Sequence, residues 1–429
     1  MLAGTVLVGL SGYVFFAVIG HDRFDPATAA ALAATYLLSN ILGPGVFIAA
    51  EQESSRVISD GRAHGGVDPG TVRRLAMICA GLGVLTLALL GLCAPVLLSR
   101  VLDGDIGLVL ALMLAVVGSA AVYYVRGLAG GQQRFHRYAA TTGIDGGARI
   151  LGCLGLALAG STNPIAYAFA LCAGPAVAAA LTVRGIQPRS ASPTPPTGPE
   201  TPPSADAHRA ATTAALIRGV GYLLVASFVS LAMANLAPVI VTGLSGTDPT
   251  QATGFAAAVV LTRVPLLLMG PIQALILPRL TLAAGEGRYG DFRRDTGLGL
   301  GIIGGLAVLA VAGVALLGHW AVGLLVGPAS DTASTTVLIL LTVSAMLQMA
   351  VQFLQPALVA VRRHRALVIA WVSGGIVFGL AFFVPIPPID RGVLAQLAGP
   401  VVTLIIEILA LQSAVVVSQS SSSARNYPA

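Results

Sequence analysis

The sequence predicts an all-α, polytopic membrane protein with 12 transmembrane helices in two six-helix bundles. Three observations predict this fold class. Hydrophobic residues make up 56% of the 429 positions and charged residues only 10%, a balance typical of chains that cross a bilayer repeatedly. The apolar residues fall into twelve runs of membrane-spanning length, and a proline-rich segment divides these runs six and six.

Each predicted span has about 20 residues, because a helix rises ~1.5 Å per residue and the hydrocarbon core is ~30 Å thick. In the first half the spans are 2–20, 27–50, 74–99, 105–128, 141–161 and 164–184. In the second half they are 213–243, 252–279, 295–326, 333–361, 366–386 and 392–418. The first run has no basic segment or cleavage site before it, which favours a retained helix over a signal peptide.

The predicted domains follow from this division. An N-terminal six-helix bundle covers 1–184 and a C-terminal six-helix bundle covers 210–418. Between them, 185–209 alternates proline with serine, threonine and alanine, a composition typical of a flexible cytoplasmic linker. The last segment, 419–429, is predicted to be a disordered tail.

Arginine placement predicts the orientation, because arginine-rich short loops stay in the cytoplasm. One set of alternate loops is rich in arginine, whereas the other set holds only Arg23, Arg100 and Arg391. The rich set consists of Arg56, Arg62, Arg73, Arg74, Arg126, Arg134, Arg137, Arg184, Arg189, Arg209, Arg218, Arg279, Arg288, Arg293, Arg294, Arg362, Arg363 and Arg365. Both termini are therefore predicted to be cytoplasmic.

The two halves repeat each other at nearly constant spacing. The paired segments are Asp25-Pro26 with Asp248-Pro249, Gly43-Pro44 with Gly270-Pro271, Asp60-Gly61-Arg62 with Glu286-Gly287-Arg288, and Arg134–Arg137 with Arg362–Arg365. Each half has an even number of spans, so both halves enter the membrane in the same direction. This predicts a pseudo-two-fold axis along the membrane normal.

Two predicted helices are interrupted at corresponding positions, by Gly43 and Pro44 in the first half and by Gly270 and Pro271 in the second. Proline removes a backbone donor and kinks a helix. Paired interruptions in repeated halves indicate a transport site. The alternative is that proline is simply common in membrane helices.

Charges inside predicted spans are candidate site residues, since an ionised group at mid-bilayer costs at least ~2.5–3.5 kcal/mol unless it is paired or hydrated. Arg263 lies near the middle of the eighth span and Glu407 in the twelfth. Arg263 is either an anion-attracting group or a structural partner of Glu407, and Glu407 is also a candidate proton or cation site. Asp145 and Arg149 stand at i,i+4, where they can form a structural pair. The alternative is that Asp145 is a coupling or gating residue and Arg149 a substrate contact.

Four further polar residues are candidates. Glu51 and Glu53 are predicted at the cytoplasmic end of the second helix, where negative charge opposes the helix dipole; they are either gating residues or solvated helix-end charges. Asn40 and Asn235 lie within spans, where a substrate contact and a hydrogen bond between helices explain an asparagine equally well.

Motifs for chemistry are missing from the sequence. It has no phosphate-binding loop, metal-spaced Cys/His set or nucleophile elbow, and this predicts a protein that is not an enzyme and uses no cofactor or metal. Its excess of arginine over acidic residues does not indicate nucleic-acid binding. We therefore expect a protein that moves a substrate without altering it, driven by an ion gradient or by the substrate's own gradient.

Several segments resemble the MOP exporter superfamily and, within it, the Wzx-like polysaccharide flippases of actinobacteria. The resemblance spans the chain and rests on the six-plus-six layout together with particular motifs. These are Gly43-Pro44-Gly45 through Glu51-Gln52-Glu53 and Arg56, Arg126-Gly127-Leu128-Ala129-Gly130 leading to Arg134-Phe135, and Arg263-Val264-Pro265 leading to Pro278-Arg279.

The resemblance implies two lobes around a cationic cavity in the bacterial cytoplasmic membrane. It implies a polyprenyl-pyrophosphate-linked oligosaccharide as substrate, with Arg263 and Arg149 at the phosphates and Glu407 or the Glu51/Glu53 pair in gating or coupling. Glycosyltransferases or a polymerase of the same pathway are implied partners.

This sequence departs from the superfamily in two ways: its first helix carries no acidic residue, and it lacks the two extra helices of lipid II flippases. A MATE-like drug or metabolite antiporter and a non-transporting scaffold of envelope assembly remain the alternatives.

Overall fold

The computed structural model describes residues 2–21, 23–63, 67–183, 205–244, 248–269, 279–280, 283, 286, 288–327, 334–361 and 363–425. All of its elements are helical, in twelve stretches that correspond one to one with the predicted spans. Nine helices of the described chain are long and apolar enough to cross a membrane. The protein is thus a multi-pass membrane protein, and the predicted fold class is confirmed.

The helices follow one another along the chain with short connections. In the first half they are α1 (Leu2–Gly20), α2 (Pro26–Asn40), a π-helical turn (Ile41–Gly45), α3 (Val46–Ala63), α4 (Pro69–Arg100), α5 (Ile106–Gly131), α6 (Phe135–Leu158), α7 (Pro164–Cys172) and α8 (Gly174–Thr182). In the second half they are α9 (Ala205–Gly243), α10 (Pro249–Leu261), a 3-10 turn (Val264–Leu268), α11 (Tyr289–Val326), α12 (Thr335–Ala360), α13 (His364–Leu380), a 3-10 turn (Ala381–Phe383) and α14 (Pro388–Arg425).

The repeated Asp-Pro pairs both begin helices. Asp25 accepts hydrogen bonds from the backbone of Ala27 and from Thr28, whose Oγ1 lies 2.6 Å away. Asp248 accepts one from the Thr250 backbone at 2.7 Å. Such N-caps satisfy backbone donors that a helix leaves open, and proline fits the first helical position. The hydrogen bonds from Thr28 and Ala27 lower the pKa of Asp25 below its usual value.

The chain forms two compact units. The first comprises Met1–Val18 and Ala31–Asn235, and the second comprises Ile19–Ala30 and Leu236–Ala429. In the first unit α5 is central and packs against α3, α4, α6, α7 and α8. Small residues permit this close approach: a Cβ at Gly118 would lie 2.7 Å from the Ala176 nitrogen.

The second unit is built around α12 and α14. The helices α11 and α14 both pack along α12, and α13 packs along α14. At the α13–α14 contact a Cβ on Gly374 would overlap Thr403, so the two backbones approach closely there. A buried stripe of α14 faces its neighbours through Gln396, Thr403 and Glu407.

The structure differs from the predicted bundle limits at two places. The helix α9 begins at Ala205, within the predicted linker 185–209, and the rest of that linker up to residue 204 lies outside the described residues. The alanine-rich sequence after Ala205 favours helix. The helix α14 continues to Arg425, past the predicted end at 418 and into the predicted tail.

The first unit also extends into α9, as far as Asn235. The reason is the contact between α9 and the chain around the π-helical turn. Ser227 Oγ donates a hydrogen bond to the Gly45 carbonyl at 3.0 Å, and a Cβ on Gly45 would lie 3.3 Å from Leu231 Cβ.

Candidate functional site

A polar cavity of about 350 Å³ lies within the first unit. Its walls come from α1, α2, the π-helical turn, α3, α5, α6 and α8. The lining residues are Thr5, Val8, Asn40, Pro44, Ile48, Glu51, Gln52, Ser119, Tyr123, Arg126, Tyr138, Thr142, Asp145, Arg149 and Pro175. Two arginines and two carboxylates among them make this a charged site inside a membrane bundle, which is a functional-site hypothesis by default.

Three buried charges form one ion-pair cluster in the cavity wall. Arg149 Nε lies 2.8 Å from Asp145 Oδ1, and Arg126 Nη2 lies 3.0 Å from Asp145 Oδ2. The i,i+4 pair that the sequence predicts is confirmed. Asp145 has a second arginine partner, Arg126, which the sequence did not predict because Arg126 was assigned to a cytoplasmic loop. In the structure Arg126 lies inside α5 and is 6% exposed. Two guanidinium groups sharing one carboxylate leave the cluster with a net positive charge.

The Arg126 guanidinium also contacts an aromatic ring and has one donor that is not used within the described residues. Its guanidinium lies over the ring of Tyr123, with the carbon 5.1 Å from the ring centroid, a cation–π contact. Its buried Nε has no hydrogen-bond partner within the described residues. Buried donors of this kind are rare and call for an explanation such as a water or a ligand.

Glu51 supplies an opposite charge to the same cavity. Tyr138 donates a hydrogen bond from its hydroxyl to Glu51 Oε1 at 2.7 Å. The interpretation of Glu51 as a helix-end residue is wrong, because α3 continues through it to Ala63. The dipole argument therefore does not apply, since it concerns only the last turn of a helix.

Glu53 does not line the cavity. It is 3% exposed and pairs with Arg56 Nη2 at 2.6 Å. Its carboxylate faces α9, where a Cβ on Gly219 would lie 2.7 Å from Glu53 Oε1. The helix-end interpretation is wrong for Glu53 too, and the structure separates it from Glu51.

The predicted break at Gly43 and Pro44 is present as a π-helical turn. Such turns mark functional sites in many helices. Pro44 lines the cavity, and a Cβ on Gly43 would lie 2.6 Å from Ser119 Oγ of α5. The corresponding pair, Gly270 and Pro271, lies outside the described residues.

A second break borders the same cavity and was not predicted. It lies at Ala173, between α7 and α8, and Pro175 follows it in the cavity wall. A Cβ on Gly174 would lie 2.7 Å from both Arg149 Cγ and Asp145 Oδ1. The absence of a side chain at Gly174 thus leaves room for the ion-pair cluster. The sequence contained a signal for this break, because Gly174-Pro175 is the same dipeptide as Gly43-Pro44, which predicted the first break.

The two asparagines differ in position. Asn40 lines the cavity and donates from Nδ2 to the Tyr36 carbonyl at 2.9 Å. Asn235 is buried, donates to the Leu231 carbonyl at 2.9 Å and is not among the lining residues. Both bonds run back to the residue four positions earlier in the same helix.

Arg263 and Glu407 belong to the second unit. Arg263 was predicted near the middle of a helix, but it lies between α10 and the 3-10 turn. Pro265 blocks continuation of the α-helix at this point. Glu407 is 0% exposed, and neither carboxylate oxygen has a hydrogen-bond partner within the described residues. The predicted alternative of an Arg263–Glu407 pair is therefore wrong.

Comparison with solved structures defines the fold. A multidrug resistance MATE family transporter of the MOP superfamily superposes with a TM-score of 0.70 and 12% identity, over 97% of this chain and 96% of that one. A eukaryotic MATE transporter gives 0.63 and 12%, over 98% and 97%. The lipid II flippase MurJ gives 0.61 and 10%, over 99% and 92%. The chain therefore has the fold of MOP-superfamily transporters, as the sequence predicted.

Sequence comparison adds distant relatives. No family model matches the chain. It is 28% identical over 199 residues to uncharacterized protein Rv1510 of Mycobacterium tuberculosis, which is 46% of this chain and 45% of that protein. It is 28% identical over 217 residues to uncharacterized protein Rv3630 of the same organism, 49% and 48% of the two chains. The matches thus span about half the length of these curated relatives.

Proposed function

We propose that this protein is a transporter that flips a polyprenyl-pyrophosphate-linked oligosaccharide across the bacterial cytoplasmic membrane by alternating access, for cell-surface polysaccharide biosynthesis. The observation that carries the proposal is the pair of buried arginines that share Asp145 in the cavity wall. The three residues of this cluster carry one net positive charge, and the buried Arg126 Nε beside it has no hydrogen-bond acceptor within the described residues. The Glu51 carboxylate of the same cavity accepts its hydrogen bond from Tyr138.

A pyrophosphate group matches this arrangement. Guanidinium groups bind phosphate oxygens through several charge-assisted hydrogen bonds. In the proposed complex, the pyrophosphate accepts a hydrogen bond from Arg126 Nε and replaces water at the cluster. The sugar hydroxyls contact the neutral polar groups of the same cavity, which include Asn40, Gln52, Ser119 and Thr142. The lipid chain remains in the bilayer.

The remaining candidate residues have supporting roles in this proposal. Glu51 lies in the cavity and is the candidate coupling residue, because its charge opposes that of the arginines. Glu407 is a second candidate for coupling, Glu53 for gating, and Arg263 and Asn235 for substrate contacts outside the cavity. Glycosyltransferases or a polymerase of the same pathway are the proposed partners.

A drug or metabolite antiporter is the second candidate. Two observations favour it: Glu51 offers a negative charge to a cationic substrate within the cavity, and the similarity to a multidrug MATE transporter reaches a TM-score of 0.70. A non-transporting scaffold is supported less, because a scaffold has no use for a charged cavity that lowers the stability of its bundle.

Reconstituted protein distinguishes these functions. Proteoliposomes are prepared with a polyprenyl-pyrophosphate-linked oligosaccharide, and a membrane-impermeant oxidant measures how fast the glycan on the inner leaflet becomes accessible. We expect Arg126→Gln to slow this rate at least tenfold, while the Arg149–Asp145 pair stays intact. Arg73→Gln is the matched control, since Arg73 is an exposed arginine outside the cavity.

The same vesicles give a direct test of the antiporter. Transport of a cationic dye that depends on Glu51 and is insensitive to Arg126→Gln would contradict the flippase and support the second candidate. Transport of neither substrate, by protein that unfolds cooperatively, would leave the scaffold as the better explanation.

A further inference from the structure

A second cavity, of about 400 Å³, lies within the second unit between α11, α12 and α14. Its floor is formed by the buried side chains of Phe292, Leu354 and Leu411. Its rim contains the exposed residues Arg293 and Gln412. The cavity thus has an apolar interior and a polar, cationic edge.

The helices leave this space open because of how they pack. Both α11 and α14 lie along α12, which closes the back of the cavity. Gly297 in α11 adds no side chain to fill it, and a Cβ there would meet nothing within 4 Å. Only 6% of the residues in the most apolar part of α11 are buried, which is typical of a helix that faces lipid. The residues of α11 that line the cavity lie near its N-terminal end, and the proposed opening of the cavity is on the exposed side of this helix.

The charge at the rim is available for a ligand. Within the described residues, Arg293 makes no hydrogen bond or ion pair. The nearby Asp291 is occupied, because its Oδ2 accepts from Arg288 Nη1 at 2.6 Å. None of the lining residues is acidic. Arg293 lies in the first turns of α11, on the side of the membrane that the arginine distribution assigns to the cytoplasm.

We propose that this cavity is a binding site for an anionic phospholipid of the cytoplasmic leaflet. One acyl chain lies along Phe292, Leu354 and Leu411, and the phosphate pairs with Arg293. Three features favour this ligand: the apolar floor, the cationic side chain of Arg293 among the lining residues, and the largely exposed surface of α11. Anionic lipids are drawn to basic residues at this depth, and the volume is within the ~300–1,000 Å³ typical of small-ligand sites.

The site is separate from the charged cavity of the first unit, and it does not depend on which substrate that cavity binds. We expect the lipid to fix α11 against α12 and α14, because it fills the space that the three helices leave. Its proposed role is to stabilise the second unit.

Native mass spectrometry of the full-length protein tests the site, with palmitoyl-oleoyl phosphatidylglycerol and the corresponding phosphatidylcholine as probes. We expect phosphatidylglycerol to bind more tightly. Gly297→Leu should reduce phosphatidylglycerol binding at least tenfold, because the new side chain fills the cavity. Gly301→Leu is the matched control: it lies on the same helix, also meets nothing within 4 Å, and does not line the cavity.

A second pair of variants tests the charge. Arg293→Gln should weaken phosphatidylglycerol binding about fivefold and leave phosphatidylcholine unchanged, the loss expected for one arginine near the membrane surface. Arg294→Gln, an exposed neighbour outside the lining, should change neither. This pair keeps the test decisive even if Gly297→Leu fails to fold.

Three results would overturn the proposal. Equal effects of Gly297→Leu and Gly301→Leu would show that the cavity is not the site. Equal effects of Arg293→Gln and Arg294→Gln would show attraction by surface charge alone. Binding of a polyprenyl phosphate more than tenfold tighter than phosphatidylglycerol would assign the cavity to a different lipid.

Discussion

The two units each contain a cavity, but a buried carboxylate is ion-paired in the first unit and has no hydrogen bond within the described residues of the second. In the first unit, Asp145 makes ion pairs with Arg126 and Arg149, and all three are nearly inaccessible. In the second unit, Glu407 is fully buried without a hydrogen bond in the described chain. The cavity of the first unit is charged, whereas that of the second has an apolar floor. The two units were predicted to be repeats, yet their cavities differ in the number of charged residues that line them.

The largest expected difference concerns the two buried carboxylates. Asp145→Asn should lower the free energy of unfolding by about 3–5 kcal/mol, because it leaves two buried guanidinium groups without their counter-charge. Glu407→Gln should change it little or raise it, because Glu407 loses no hydrogen bond. Both can be followed by thermal unfolding with a thiol-reactive dye, since Cys79, Cys153 and Cys172 are buried and free. An equal loss in both variants would remove the distinction between the units.

The helix break beside the ion-pair cluster should be the next most sensitive position. Gly174→Ala places a Cβ at 2.7 Å from Arg149 Cγ and Asp145 Oδ1, so we expect a loss of about 1–3 kcal/mol from overpacking. Gly147→Ala in α6, where a Cβ would meet nothing within 4 Å, is the control and should be neutral or slightly stabilising. The same unfolding assay measures both, and a neutral Gly174→Ala would contradict the tight packing.

An effect of comparable size is expected at the contact between Tyr138 and Glu51. Tyr138→Phe removes the hydrogen bond to Glu51, and a hydrogen bond to a charged group contributes about 1.5–3 kcal/mol. Tyr222→Phe in α9, an exposed tyrosine, should have no effect on unfolding temperature. If the two variants behave alike, Glu51 is not held by Tyr138.

The smallest effect is expected at the repeated helix starts, where the two halves are most alike. Asp25→Ala and Asp248→Ala should each cost about 1 kcal/mol through loss of an N-cap. The pKa of Asp25 is lowered by its hydrogen bonds, so its stabilising effect is fully present above the unfolded pKa and is lost progressively as the pH falls through the folded-state pKa. The free energy of unfolding of wild type and Asp25→Ala, measured from pH 7 down to pH 3, tests this, and a difference that does not shrink with falling pH would contradict it.

The sequence predicted the fold well because twelve apolar runs of spanning length allow few arrangements. It also predicted the Asp145–Arg149 pair, since i,i+4 spacing is a local property of a helix. It missed Arg126 as a partner because that contact joins α5 to α6 and depends on tertiary packing. It placed Glu51 at a helix end because polar residues after an apolar run suggest the membrane surface, whereas α3 continues for three more turns.

The proposed pairing of Arg263 with Glu407 failed for a related reason. Both are charged residues in apolar surroundings, and charge alone suggested that they meet. Sequence does not give the distance between α10 and α14, and Pro265 moved Arg263 out of the helix in which its position had been inferred. The roles of Arg263, Asn235 and Glu407 stay predictions.

The cavity of the first unit should be accessible to water and should attract anions. Asn40→Cys, with the four native cysteines replaced by alanine, places a thiol in the cavity wall. The rates of its modification by an anionic and a cationic methanethiosulfonate reagent are measured relative to a free thiol. We predict that the anionic reagent reacts at least several-fold faster and that Arg126→Gln abolishes the preference. An unreactive thiol, or a preference for the cationic reagent, would show that this cavity does not attract anions from water.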